Sequence, residues 1–220
     1  MANPEHVRLL IDGGVQEWNK FRGNTQSPQP DLSGADLSGY DFTSLNLSHA
    51  NLEGVDLSDA YLYRANFTEA NLTRANLTEA DILEANFIKA NLSFAIMIGA
   101  DLTGTGLIAC NLEGANIEGA NLTQTSLPWG NLTGANLSKT KLKLTDLREA
   151  KLNQANLQGA SFQDTSFTGA ILQEANLLGV THVDIDLLAK AKTLYHAQLD
   201  QELKDQLLKD HPHLFEQPQT

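Results

Sequence analysis

From Leu32 to Leu177 every fifth residue is Leu, Ile, Phe or Met, and thirty such units follow one another without a gap. Two places before each centre stands a small residue, usually Ala. Asn or Asp usually precedes the centre, and a polar residue and then Gly or a charged residue follow it, as in Ala70-Asn71-Leu72-Thr73-Arg74. A period of five suits neither a helix nor a strand, because repeats of 3.6 and 2 both fail to hold every fifth side chain on one face over so many residues. The chain must therefore turn at regular intervals. If the small and the large apolar residues both point inward, each unit makes one short side of a coil and three outward positions meet solvent.

An uninterrupted repeat over two-thirds of 220 residues argues for one elongated body. The formal charge of −12 disfavours attraction to nucleic acid or an anionic membrane. A single cysteine, Cys110, allows no disulfide framework and fits a reducing compartment. The N-terminal residues lack a basic stretch followed by an apolar run, and no segment approaches ~20 apolar residues, so the expected location is cytoplasmic and away from a membrane.

The repeat resembles that of the pentapeptide repeat family, A(D/N)LXX, over residues 30–180. The motif says little once and a great deal thirty times over. The resemblance implies an all-β solenoid, a right-handed quadrilateral β-helix with four pentads per coil, so that residues 20 apart stack. On that reading the thirty units make about 7.5 coils, roughly 36 Å of rod at the ~4.8 Å strand spacing. Four of the five Thr residues at the small inward position, Thr105, Thr125, Thr145 and Thr165, are themselves spaced by 20, which suits a column of hydroxyls bonding each other or the backbone. Phe67 and Phe87 share the same spacing. Tyr40 and Leu45 are oversized for the inward position and fall in the first coil.

The expected organisation has four parts. Residues 1–23 form an N-terminal helical cap, in which Asn3 caps the helix, Pro4 occupies its first position and Gly13-Gly14 bends it. Residues 24–30 are a connector, and residues 31–180 form the β-helix. Residues 184–215 are read as a C-terminal helical cap or dimerisation segment, with Asp184 or Asp186 starting one helix, Leu187, Leu188, Ala191, Leu194 and Tyr195 on its apolar face, and Asp200 starting the next. Caps are physically required, because a solenoid otherwise leaves bare strand edges at both ends.

No catalytic constellation emerges. The six histidines lie mostly near the ends without a cysteine beside them, and His211 and His213 are too few for a stable metal site. The expectation is a chain that is not an enzyme and holds no cofactor or metal. Apolar residues at outward positions are then the informative ones. Ile88, Ile108, Pro128 and Trp129 form a candidate protein-contact strip along one face, and Phe94, Ile96 and Ile98 form a second group around Met97.

The leading functional expectation is a rigid scaffold or protein-interaction module with an unknown protein partner, with homodimerisation through the C-terminal helices as a further expectation. The alternative is a DNA mimic acting on a type II topoisomerase, as the quinolone-resistance branch of the family does. Asp31 to Glu118 holds 13 acidic and 3 basic residues, whereas Gly119 to Val180 holds 4 acidic and 5 basic. The acidic half carries about one net charge per 2 Å of rod, near the ~1.7 Å of duplex DNA. The acids are expected on all sides of the rod, however, and no loop interrupts the repeat.

Overall fold

The computed structural model describes residues 1–24 and 28–218; Thr25, Gln26 and Ser27 of the expected connector lie outside the described residues. Parallel bridges pair residues 20 apart from Asp31↔Asn51 to Ser161↔Thr181, so four pentads complete one coil. We number the faces by their central residues: face 1 begins at Leu32, face 2 at Leu37, face 3 at Phe42 and face 4 at Leu47. The centres and nearly all the small residues are buried and form one continuous core along the axis. Phe67 and Phe87 stack on face 4, with ring centroids 4.4 Å apart and planes within 8°.

Backbone hydrogen bonding explains why the unit has five residues and why Asn recurs in it. In the unit Ala70 to Arg74 all five amides donate. Ala70 closes a turn onto the Phe67 carbonyl at 2.9 Å, Asn71 reaches back one coil to the Ala50 carbonyl at 2.9 Å, and Leu72 and Arg74 reach forward to the Asn91 and Ser93 carbonyls at 2.7 and 3.0 Å. The fifth amide, of Thr73, has no carbonyl within reach and donates to Asn71 Oδ1 at 3.2 Å. The Asn or Asp side chain therefore supplies an acceptor that the coiled backbone lacks. At the position before the centre, 21 units carry Asn or Asp, and in every one this local bond forms, from Ser33 N–H to Asp31 at 3.0 Å through to Leu178 N–H to Asn176 at 3.1 Å. Asn side chains also bond one another between coils, as in Asn176 to Asn156 and Asn156 to Asn136, both at 3.1 Å.

The last residue of all thirty units has a positive φ, between 53° and 72°. Such turns demand a left-handed residue, which glycine adopts without steric cost. Only eleven of the thirty are glycine, so the remaining nineteen carry backbone strain that the surrounding hydrogen bonds hold in place. Thr105, Thr125, Thr145 and Thr165 do stack in a column, but their hydroxyls donate to backbone rather than to one another. Their acceptors are the Ile82, Leu102, Leu122 and Leu142 carbonyls of the preceding coil, at 2.6–2.8 Å.

At the N-terminal end, helix α1 (Pro4–Arg22) is capped by Asn3, whose side chain accepts the Glu5 amide, and it bends at Gly14, where φ is +68°. It docks by hydrogen bonding to the edge of the first coil. Asn3 N–H donates to the Asp31 carbonyl at 3.0 Å, and Asp31 N–H donates to His6 Nδ1 at 3.1 Å. Trp18 Nε1 donates to the Asn46 carbonyl at 2.8 Å, Asn46 N–H to Asn19 Oδ1 at 2.8 Å, and Arg22 to the Ser48 carbonyl at 2.7 Å. These contacts cover the edges of faces 4 and 1. Among the described residues, Asp36 and Asp41 on the edges of faces 2 and 3 receive no bond from α1, and exposed carboxylates there discourage strand addition. Leu45 is buried as expected of an inward residue, whereas Tyr40 is partly exposed and stacks on Phe42 at a 5.5 Å centroid distance.

The C-terminal segment departs from the expected 184–215 helical block. Helix α2 (Ile185–Leu188), capped by Asp184, has only four residues, and Leu194 and Tyr195 are not helical. Instead the coil resumes, with bridges Ile171↔Thr193 and Asn176↔Gln198 that are 22 residues apart. Leu194 and Leu199 are buried as centres, and His196 takes the left-handed turn position at φ 58°. A two-residue insertion at α2 shifts these units out of the five-residue register and hides them from a periodicity search. Helix α3 (Gln201–Asp210) and the 3₁₀ turn Pro212–Phe215 follow, burying Leu207 and Leu214. The Leu214 carbonyl accepts the Leu194 amide at 2.7 Å. Asp200 begins α3 without a side-chain cap bond, and its carboxylate instead accepts the Gly179 amide at 2.9 Å.

Two stability measurements check this account. Asn136→Ala removes the Ser138 amide's acceptor at 3.2 Å and ladder bonds to Asn116 and Asn156, and is expected to cost about 1–3 kcal/mol in urea denaturation. Trp18→Ala, which strips a fully buried ring from the first-coil edge, is expected to cost about 3–5 kcal/mol and to raise the apparent mass in light scattering.

Candidate interaction surface

The interior of the rod is filled, so chemistry or binding must occur on its flanks. Cys110 is an inward residue, and burial pushes its thiol well above the ordinary range, leaving it an inert small hydrophobe. An open groove of about 900 Å³ lies between α1 and face 1, lined by Val7, Ile11, Gly34, Gly54, Glu53 and Arg74. No group of three or more potential metal ligands occurs among the described residues. No helix among them is long and apolar enough to cross a membrane.

The strip formed by Ile88, Ile108, Pro128 and Trp129 is narrower than its sequence spacing implies. Trp129 stands 63% exposed, but Ile88 and Ile108 are half-buried and Pro128 is buried. Pro128 also has a backbone explanation. Its unit carries Ser126, a weaker local acceptor, where most carry Asn or Asp, and proline has no amide to satisfy. Its fixed φ also suits the second position of the turn.

The second group is the more exposed. Phe94, Ile96 and Ile98 are 53%, 41% and 37% exposed, and they wrap the corner between faces 1 and 2. Gly114 lies in the next coil under Phe94, whose Cε1 is 2.6 Å from the place a Cβ of residue 114 would occupy.

The 20-residue register sorts the charges more sharply than sequence reading did. Of the thirteen acids from Asp31 to Glu118, Asp36, Asp56, Asp59, Glu79 and Glu118 lie on face 2, and Asp41, Asp81, Glu84 and Asp101 on face 3. All four faces carry acids, as expected, but two adjacent faces hold nine of them; Asp31, Glu53 and Glu113 lie on face 1 and Glu69 on face 4. Cross-coil ion pairs run along the corners, Arg64 with Glu84 at 2.8 Å and Lys139 with Glu118 at 2.8 Å, and both are exposed. Their hydrogen bonds lower Glu118 and raise Lys139, but pairs this open to solvent add little stability. Asp146 is more sheltered. Its carboxylate is bidentate with Arg148, at 2.8 and 2.7 Å, and these bonds hold it below the usual carboxylate range despite burial acting the other way.

A family model described as pentapeptide repeats matches the chain in eight copies, over residues 29–59, 56–93, 85–124, 110–148, 131–169 and 145–181. No curated protein sequence matches the chain. Among solved structures, it is similar to HetL, a pentapeptide repeat protein involved in heterocyst differentiation regulation from the cyanobacterium Nostoc sp. strain PCC 7120. The identity is 27% over 90% of this chain and 94% of that one, with a TM-score of 0.44. A trypsin-treated form of QnrB1, a plasmid-mediated fluoroquinolone resistance protein, is 21% identical over 82% and 95% of the two chains, with a TM-score of 0.43. Rfr23, a pentapeptide repeat protein from the cyanobacterium Cyanothece 51142, is 18% identical over 88% and 96%, with a TM-score of 0.27.

The Asp146–Arg148 pair carries a pH prediction. A carboxyl whose pKa is lowered by folding contributes its full stability above the ordinary carboxylate range and loses it as pH falls through that range toward the lowered value. Between about pH 5 and about pH 2 the urea midpoint of the wild type is expected to fall more steeply than that of Asp146→Asn, which keeps an acceptor for the Arg148 amide.

Proposed function

The chain belongs to the pentapeptide repeat family, and on that footing we propose that it is a non-catalytic scaffold which presents a rigid, flat-sided rod to a protein partner. Members of the family form right-handed quadrilateral β-helices and are generally non-enzymatic structural or interaction proteins. The observation that carries the reading is the division of labour within each unit. Inward positions are consumed by packing and backbone amides by pairing between coils, so the outward side chains alone are free to act. Large apolar groups among those outward residues, Trp129 and the Phe94 corner above all, have no folding role outside the core and suit contact with another protein. A lone, buried cysteine and the absence of any basic surplus favour work in the cytoplasm, without cofactor and away from anionic membranes.

A second reading, mimicry of duplex DNA toward a type II topoisomerase, is favoured by one observation, the concentration of nine acids on two adjacent faces. Against it stands the C-terminal half of the repeat, where five basic residues outnumber four acidic ones.

Two assays separate the readings. Immobilised full-length chain in native cell extract is expected to retain a protein partner at a defined stoichiometry, and retention of none would remove the scaffold reading. In a gyrase supercoiling assay the scaffold reading expects no effect from the purified chain, whereas inhibition or protection would promote the mimic in its place.

A further inference from the structure

We infer that the corner built from Phe94, Ile96 and Ile98 docks a cationic amphipathic segment of a protein partner, an inference that rests on the protein-binding reading above. The unit Ala95 to Gly99 breaks the rule that stabilises its neighbours. Ile96 stands where 21 units carry Asn or Asp, so the Ile98 amide has no side-chain acceptor. The Asn column of face 2 is interrupted at the same point. Asn76 bonds Asp56 at 3.0 Å and Asn136 bonds Asn116 at 3.0 Å, and the isoleucine stands between those two links. Phe94 adds to the cost, because it is an aromatic residue in the left-handed conformation at φ 59°.

None of these three side chains offsets the loss by packing in the core. Each is more than a third exposed, whereas the Met97 they surround is buried. A local rule broken without a gain to the fold marks a place where another requirement acts. Gly114 makes the corner possible, since any side chain there would meet the Phe94 ring.

The rim around the corner selects the partner. In the preceding coil Glu79 extends over Gly99, its carboxylate filling the place a Cβ would occupy, and Asp56 and Asp59 lie one coil further on the same face. In the following coil stand Glu113 and Glu118. Two basic residues oppose them, Arg74 and Lys139, and Lys139 is already tied to Glu118 at 2.8 Å. An apolar centre with an acidic rim complements leucine-like anchors flanked by Lys or Arg, and it repels an anionic bilayer.

The test uses full-length protein and two fluorescent synthetic peptides, a leucine–lysine amphipathic peptide and its charge-matched counterpart with serine in place of leucine, in anisotropy titrations at fixed ionic strength. Wild type is expected to bind the leucine peptide at least about tenfold more tightly than the serine peptide. The triple variant Phe94→Gly, Ile96→Asn, Ile98→Thr, which installs residues used elsewhere in the repeat, should lose that preference while unfolding at the same or higher urea concentration. Trp129→Ser should keep it. The inference is overturned by equal binding of both peptides to wild type, by a preference that survives the triple change, or by marked destabilisation of the triple variant, which would give these residues a folding role. In extract, a partner captured equally by wild type and triple variant would sink this surface and leave the scaffold reading standing. Capture of nothing by wild type would sink both.

Discussion

A backbone wound into a square coil must find an acceptor for every amide, and in this rod the recurring Asn or Asp solves the one case that the coil cannot. Four of the five amides in a unit reach carbonyls in the same or adjacent coils, and the fifth takes the side-chain oxygen two residues back. An unmet amide costs up to about 1–3 kcal/mol where it is buried, and 21 of the thirty units avoid that lapse. The same geometry fixes the left-handed conformation at the last position of each unit, and the cross-coil bonds tolerate strained residues there because the whole stack holds them.

The periodic part of the fold was legible in sequence because every unit repeats the same packing decision. The positions of Leu32 to Leu177 imply an inward column, and the spacing of Thr105, Thr125, Thr145 and Thr165 implies the length of a coil. What escaped was the end of the rod and the bonding role of its side chains. The resumed coil at Ala197-Gln198-Leu199 carries the small and large apolar residues of the motif, with Gln in place of Asn or Asp, but two inserted residues put it out of phase, and the apolar spacing of Leu187 to Tyr195 passes for a helix. The hydrogen-bonding role of Asn is likewise invisible in composition, since it concerns an amide two residues away.

The candidate surface was partly legible for a related reason. Spacing by 20 groups residues into columns but says nothing of depth, and Ile88, Ile108 and Pro128 are more buried than their outward positions suggest. Ile96 is more telling than any of them, because besides standing outward it forgoes the local hydrogen bond, which sequence spacing does not reveal. In a repeat this regular, departures from the consensus can be priced against their neighbours, and those that cost stability without filling space point to contacts outside the chain.

The 22-residue final coil has a wider meaning. It indicates that the stack absorbs a local lengthening along one side, where α2 stands in place of the face 4 unit, and restores its pairing within a single circuit, with the terminal cap still seated. A body of this kind works as a graduated gauge. Adding or deleting whole circuits would reposition one marked corner against another in increments of about 4.8 Å, without redesigning either end.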